Sequence, residues 1–165
     1  MGGICRRMVN IWGMRARLSL AQYAWIVLLF GLLAALEHNR VGLFLVPPFG
    51  ATMTLLLELP ESPVTQPYAV VVGSVTGAAV GTLIGLFAHG QAMAIVAAVT
   101  AFFVMNFIHA YHPPGVALAM YPLLLHPGMW FPLAVVLPFA AAAVGSATVM
   151  SRLLATWPEY PRPLG

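Results

Sequence analysis

Four long apolar runs alternate along the chain with polar or proline-marked breaks. They cover residues 18–36, 68–88, 92–108 and 130–150. Each approaches the roughly 20 apolar residues that a helix needs to cross about 30 Å of hydrocarbon. Two further apolar pieces, residues 50–58 and 116–125, are too short to cross by themselves. Each follows a proline pair, Pro47-Pro48 and Pro113-Pro114. Proline suits the first turn of a helix, where its missing N–H has no partner to lose. Between 59 and 67 the chain reads Leu-Pro-Glu-Ser-Pro-Val-Thr-Gln-Pro, which no ordinary helix accommodates. The pattern predicts an all-α polytopic fold of four spanning helices and two short proline-initiated helices, expected to be re-entrant.

The two halves of this pattern match. Pro47-Pro48-Phe49-Gly50-Ala51 aligns with Pro113-Pro114-Gly115-Val116-Ala117, and Ala78-Ala79-Val80-Gly81-Thr82 with Ala142-Ala143-Val144-Gly145-Ser146. An internal two-fold repeat over about 20–88 and 92–150 is therefore expected. Its sense, parallel or inverted, stays open at this stage, because it depends on whether the short helices turn back or complete a crossing. The domain reading is a basic arm at 1–17, a membrane domain at 18–151 and a proline-rich tail at 152–165.

Composition agrees with this picture. Of 165 residues, 61% are hydrophobic and 7% charged, against about 25% charged in soluble domains. All seven basic residues are Arg, and four of them (Arg6, Arg7, Arg15, Arg17) precede the first apolar run. That distribution reads as membrane topology with cytoplasmic termini, in a bacterial inner membrane, and as no nucleic-acid surface. The first run is read as a retained span, because no small-residue cleavage site follows it. Cys5, the single cysteine, is read as a free thiol. No base–nucleophile pair is evident, so no enzyme activity and no cofactor is expected. His38, His89 and His126 fall in separate loops, so no metal site is expected.

Irregular backbone at membrane depth is tolerated only inside protein or beside an aqueous cavity, and paired broken helices in repeat halves point to a substrate path. A helix beginning there presents N–H groups and a positive dipole end, which suit a small anion. The candidate site comprises Pro48, Phe49, Gly50, Ala51 and Thr52 at the first break, and His112, Pro113, Pro114 and Gly115 at the second. Asn106 and His109 share a face with His112 if the helix continues, and Gln66 stands at the mouth of the third run. The bland alternatives are that the proline pairs shape a packed bundle and that His112 caps a helix or holds a buried carbonyl. Gly73, Gly77, Gly81 and Gly85 form a face for close helix packing, in this chain or against a second subunit. A homo-oligomer within the lipid bilayer is expected.

The chain resembles the HPP family of membrane proteins, named for the triplet found here as His112-Pro113-Pro114. The resemblance covers about residues 20–150 and includes Pro48-Phe49-Gly50-Ala51-Thr52 and the proline-rich stretch from Leu59 to Pro67. It implies four transmembrane helices and, by association with cyanobacterial and chloroplast members, transport of nitrite. The chain departs from the family where Arg-Asn and Gly-Gly-His are common; it has Tyr68-Ala69 and Val72-Gly73-Ser74. After the triplet it has Gly115-Val116-Ala117-Leu118-Ala119 where Ala-Gly-Ala-Thr-Ala is frequent. These changes remove a cation, an amide, an imidazole and a hydroxyl. A non-transporting accessory subunit of a larger complex is the rival reading.

Overall fold

The computed structural model describes residues 18–36 and 47–162. The arm at 1–17 and the polar connection around Glu37–Arg40 lie outside the described residues. The described residues are helical and contain no strand. The helices are α1 (Leu20–Leu36), α2 (Pro47–Glu58), α3 (Pro67–Gly85), α4 (Gln91–Phe107), α5 (Pro113–Leu125) and α6 (Leu137–Leu153). A π-helical segment, Phe131–Val136, runs directly into α6. The cause is local: Pro138 has no N–H to give the carbonyl four residues back, and the wider turn takes up its ring. Among the described residues, two stretches are long and apolar enough to cross a bilayer, Pro67–Ile84 and Phe131–Leu153; α1, α4 and α5 are apolar but shorter.

The proline pairs occupy the first two positions of α2 and α5 and so begin these helices. His112, before Pro113, is extended at φ −132°, ψ 110°, as a residue preceding proline must be.

The centre of the molecule is the contact of α3 with α5. A methyl group placed on Gly73, Gly77 or Gly81 would collide with the carbonyl oxygen of Ala110, Gly115 or Ala119 respectively. Gly85 faces Pro122 at the same helix pair. The glycine face expected from the sequence is thus filled by this chain's own α5, and it supplies no argument for a second subunit. The matched order of these contacts also means that α3 and α5 run parallel. α3 starts at one end of the bundle, and the C-termini of both helices lie together at the other.

α4 returns between them. The N–H of Gly90 donates to Leu123 O at one end (3.1 Å), and the Tyr68 hydroxyl donates to Ile108 O at the other (3.1 Å). After α6 the chain comes back to the first end, where the Tyr160 hydroxyl donates to Thr65 O (2.8 Å). Burial of this phenol pushes its pKa above the ordinary tyrosine value. Trp157 meets Trp25 edge-on at 5.5 Å, and Trp25 Nε1 donates to Ser146 Oγ (2.9 Å), so the tail binds α1 to α6.

This close approach is directly testable. Gly77→Ala and Gly81→Ala each push one helix backbone off another and should cost at least about 2 kcal/mol. The expected result is a clear fall in melting temperature and in monodisperse yield after detergent extraction. Gly145→Ala, where an added methyl meets nothing within 4 Å, should leave both unchanged.

Candidate functional site

The two helix starts meet part-way through the bundle. His112 lies level with Gly73, six residues into α3, which is about 9 Å from the start of that helix. α5 therefore begins inside the bundle and ends level with the end of α3. α2 ends in the loop that leads into α3. Its Thr52, six residues earlier, reaches His112 (2.9 Å between Oγ1 and Nε2). α2 thus begins inside the bundle and runs opposite to α5, so the first turns of the two helices overlap head to head. Phe49, stacked on Phe139 of α6 at 3.9 Å, anchors the start of α2 from behind.

An open groove of about 580 Å³ lies across this overlap, walled by Pro47, Pro48, Ala51, Thr54, Leu55, Pro113, Pro114 and Ala117. Pro48, Ala51, Pro113 and Pro114 were expected there. Pro47 completes the first proline pair, and the three- and four-residue spacing of Thr54, Leu55 and Ala117 from Ala51 and the prolines places them on the same helix faces. The walls are mainly apolar, and the Thr54 hydroxyl already donates to Gly50 O (2.9 Å). Four prolines remove four of the eight starting N–H groups, and Gly115 N–H donates to His112 O (2.9 Å). Few helix-start donors are therefore left, Phe49 N–H among them.

His112 is fully buried. Its Nδ1 lies 2.8 Å from Val64 O. A carbonyl only accepts, so Nδ1 carries a proton. In the neutral ring Nε2 then accepts from the Thr52 hydroxyl, for whose proton Pro48 O competes at 3.1 Å. One side chain thereby joins the start of α5, the middle of α2 and the proline-rich loop. That is the carbonyl-holding role weighed in the sequence reading, at the back of the overlap.

The remaining candidates stand elsewhere. Gln66 is buried, and its amide donates to Pro60 O and Ser62 O, both at 3.0 Å, pinning the loop. Asn106 is exposed and donates to Phe102 O one turn back (2.7 Å). His109 is also exposed and takes a left-handed conformation, φ 55°. The N–H groups of His109 and Ala110 close on Asn106 O and Met105 O, which is the hydrogen-bond pattern of a Schellman helix stop. The helix does not continue to His112, so the expected stripe of Asn106, His109 and His112 is broken. Glycine normally fills the position that His109 occupies. The sequence carried no such cue.

Two expectations follow. His112→Ala strands Val64 O and the Thr52 hydroxyl and should lower stability by about 1–3 kcal/mol, whereas Thr52→Val should cost about 1 kcal/mol. Thermal unfolding in detergent reads both. His109→Gly relieves the left-handed backbone and should keep or raise stability by up to about 1 kcal/mol; a loss would show that the imidazole itself is needed.

The sequence profile of the family described as HPP, transmembrane region, matches residues 12–161. A transmembrane protein of Dictyostelium discoideum is 32% identical over 117 residues, which are 64% of this chain. The aligned part is 38% of that relative's length. No solved structure matches.

Proposed function

The chain belongs to the HPP transmembrane family, and from that premise we propose that it forms a membrane path for a small anion of the nitrite type. The observation that carries this reading is the head-to-head overlap of the α2 and α5 starts inside the bundle. Two positive dipole ends directed at one point are the arrangement that an anion favours in a medium without water. The groove at Pro47–Pro48 and Pro113–Pro114 is the proposed route, and His112 with Thr52 is the brace that keeps the two helix starts in register.

The helix directions also support an inverted repeat. α3 runs opposite to α6 and α2 opposite to α5, so the paired elements of the two halves are antiparallel. In this reading each short helix completes a crossing, and for α5 its first part is the non-helical stretch Ile108–His112. Exposed Ile95, Val96, Val99, Phe102, Phe103 and Phe107 on α4 form a face for lipid tails. Arg152 ends α6 at the end where α3 begins, and by the positive-inside bias that end is cytoplasmic.

One observation favours the rival reading, a non-transporting accessory subunit: the groove walls are mainly apolar, with the Thr54 hydroxyl engaged. Uptake decides. Proteoliposomes holding only this protein are tested with nitrite against nitrate, formate and chloride under an imposed pH gradient. The proposal expects nitrite entry above empty liposomes, reduced at least about tenfold by Ala51→Trp or Ala117→Trp, which fill the groove. No uptake by monodisperse protein, or uptake untouched by both substitutions, would transfer the case to the accessory subunit.

A further inference from the structure

A second pocket, of about 250 Å³, lies at the opposite end of the α3–α5 pair, where both helices finish. Thr82, Gly85, Leu86, Pro122 and Gly128 form part of its wall, with His89, His126 and Met129 at its rim. The sequence reading set metal binding aside because the histidines fall in separate loops. The fold brings two of those loops together. The rings of His89 and His126 lie 4.2 Å apart at 59°. His126 holds a left-handed backbone, φ 53°, that turns the chain at the end of α5. The Gly90–Leu123 hydrogen bond fastens the two turns to each other.

Three features of this pocket suit a cation. Two helices present their C-terminal, electronegative ends to it. Two imidazoles and a thioether border it, a donor set of nitrogen and sulfur and not of oxygen. The Thr82 hydroxyl, on the pocket wall, is buried and has no hydrogen-bond partner among the described residues; most helical threonines bond back to a carbonyl. A water on a bound ion would give that hydroxyl a partner. Ring spacing is compatible as well. Two imidazoles on one three- or four-coordinate ion, with metal–nitrogen bonds of about 2.0 Å, put ring centres about 5–5.5 Å apart. An opening of about 1 Å from 4.2 Å, by rotation of two exposed side chains, reaches that range.

We propose that His89, His126 and Met129 bind one soft transition-metal ion, best matched by Cu(I), with Thr82 hydrogen-bonded to water on the ion. The ion ties the α3–α4 turn to the turn that precedes α6. The site is remote from the α2–α5 groove, and it stands or falls independently of anion transport.

The test is competition for Cu(I) between tag-free, detergent-purified protein and a chromophoric chelator. The expected result is one tightly held Cu(I) per chain. His89→Gln and His126→Gln should each weaken it at least about tenfold, and Met129→Leu should weaken Cu(I) more than Zn²⁺. All three positions are exposed, so the variants should extract and elute like the parent. Cys5→Ser is included in every protein to remove the one thiol. Less than one Cu(I) per chain, or equal affinity in both histidine variants and the parent, would overturn the site.

Discussion

The fold depends on one constraint, the backbone-to-backbone approach of α3 and α5. Where Gly73, Gly77 and Gly81 pass the carbonyls of Ala110, Gly115 and Ala119, there is no room for a side chain. In a membrane interior, lipid tails solvate apolar side chains as well as protein does, so close packing of this kind must supply the attraction between helices. The contact also sets the depth at which α5 begins. Because His112 is level with Gly73, its triplet is carried into the bundle and not left at its rim. The other features of the centre follow from that depth.

At that depth α2 must start opposite α5, and buried polar groups must be matched. His112 accomplishes this with two hydrogen bonds, one to a loop carbonyl and one to the Thr52 hydroxyl on α2. The prolines contribute in a second way, since a helix start buried among apolar residues is cheaper when its first positions have no N–H to satisfy. The outcome is a pair of opposed helix starts held by a rigid brace, with an apolar groove across them. The far end of the same α3–α5 contact is less constrained. There the two C-termini and their turns bring His89 and His126 together, though 37 positions separate them in the chain.

Much of the architecture was legible because membrane helices announce themselves by apolar length, and the proline pairs by their matched positions. The groove was half legible: Ala51 and the prolines could be named, but the rest of its wall needed a helix phase. What could not be read depended on tertiary placement. His109 looks like part of a polar stripe until the left-handed turn at φ 55° shows that the helix has stopped. Gln66 looks like a lining group until its amide is seen to hold two loop carbonyls. The glycine face was visible, but whether its partner lay in this chain or another was not a property of spacing. The sense of the proposed repeat was equally hidden, since it turns on where α5 ends and not on what α5 is made of.

The most direct test of the account is the sidedness of three loops, read by labelling single cysteines with a membrane-impermeant maleimide in oriented vesicles. Glu61→Cys, Gln91→Cys and Met129→Cys are made in a Cys5→Ser background. If the short helices complete crossings in opposite directions, positions 91 and 129 label from one face and position 61 from the other. If they turn back as re-entrant segments, positions 61 and 129 label together and 91 from the opposite face. That second pattern would contradict the opposed helix starts on which the account rests.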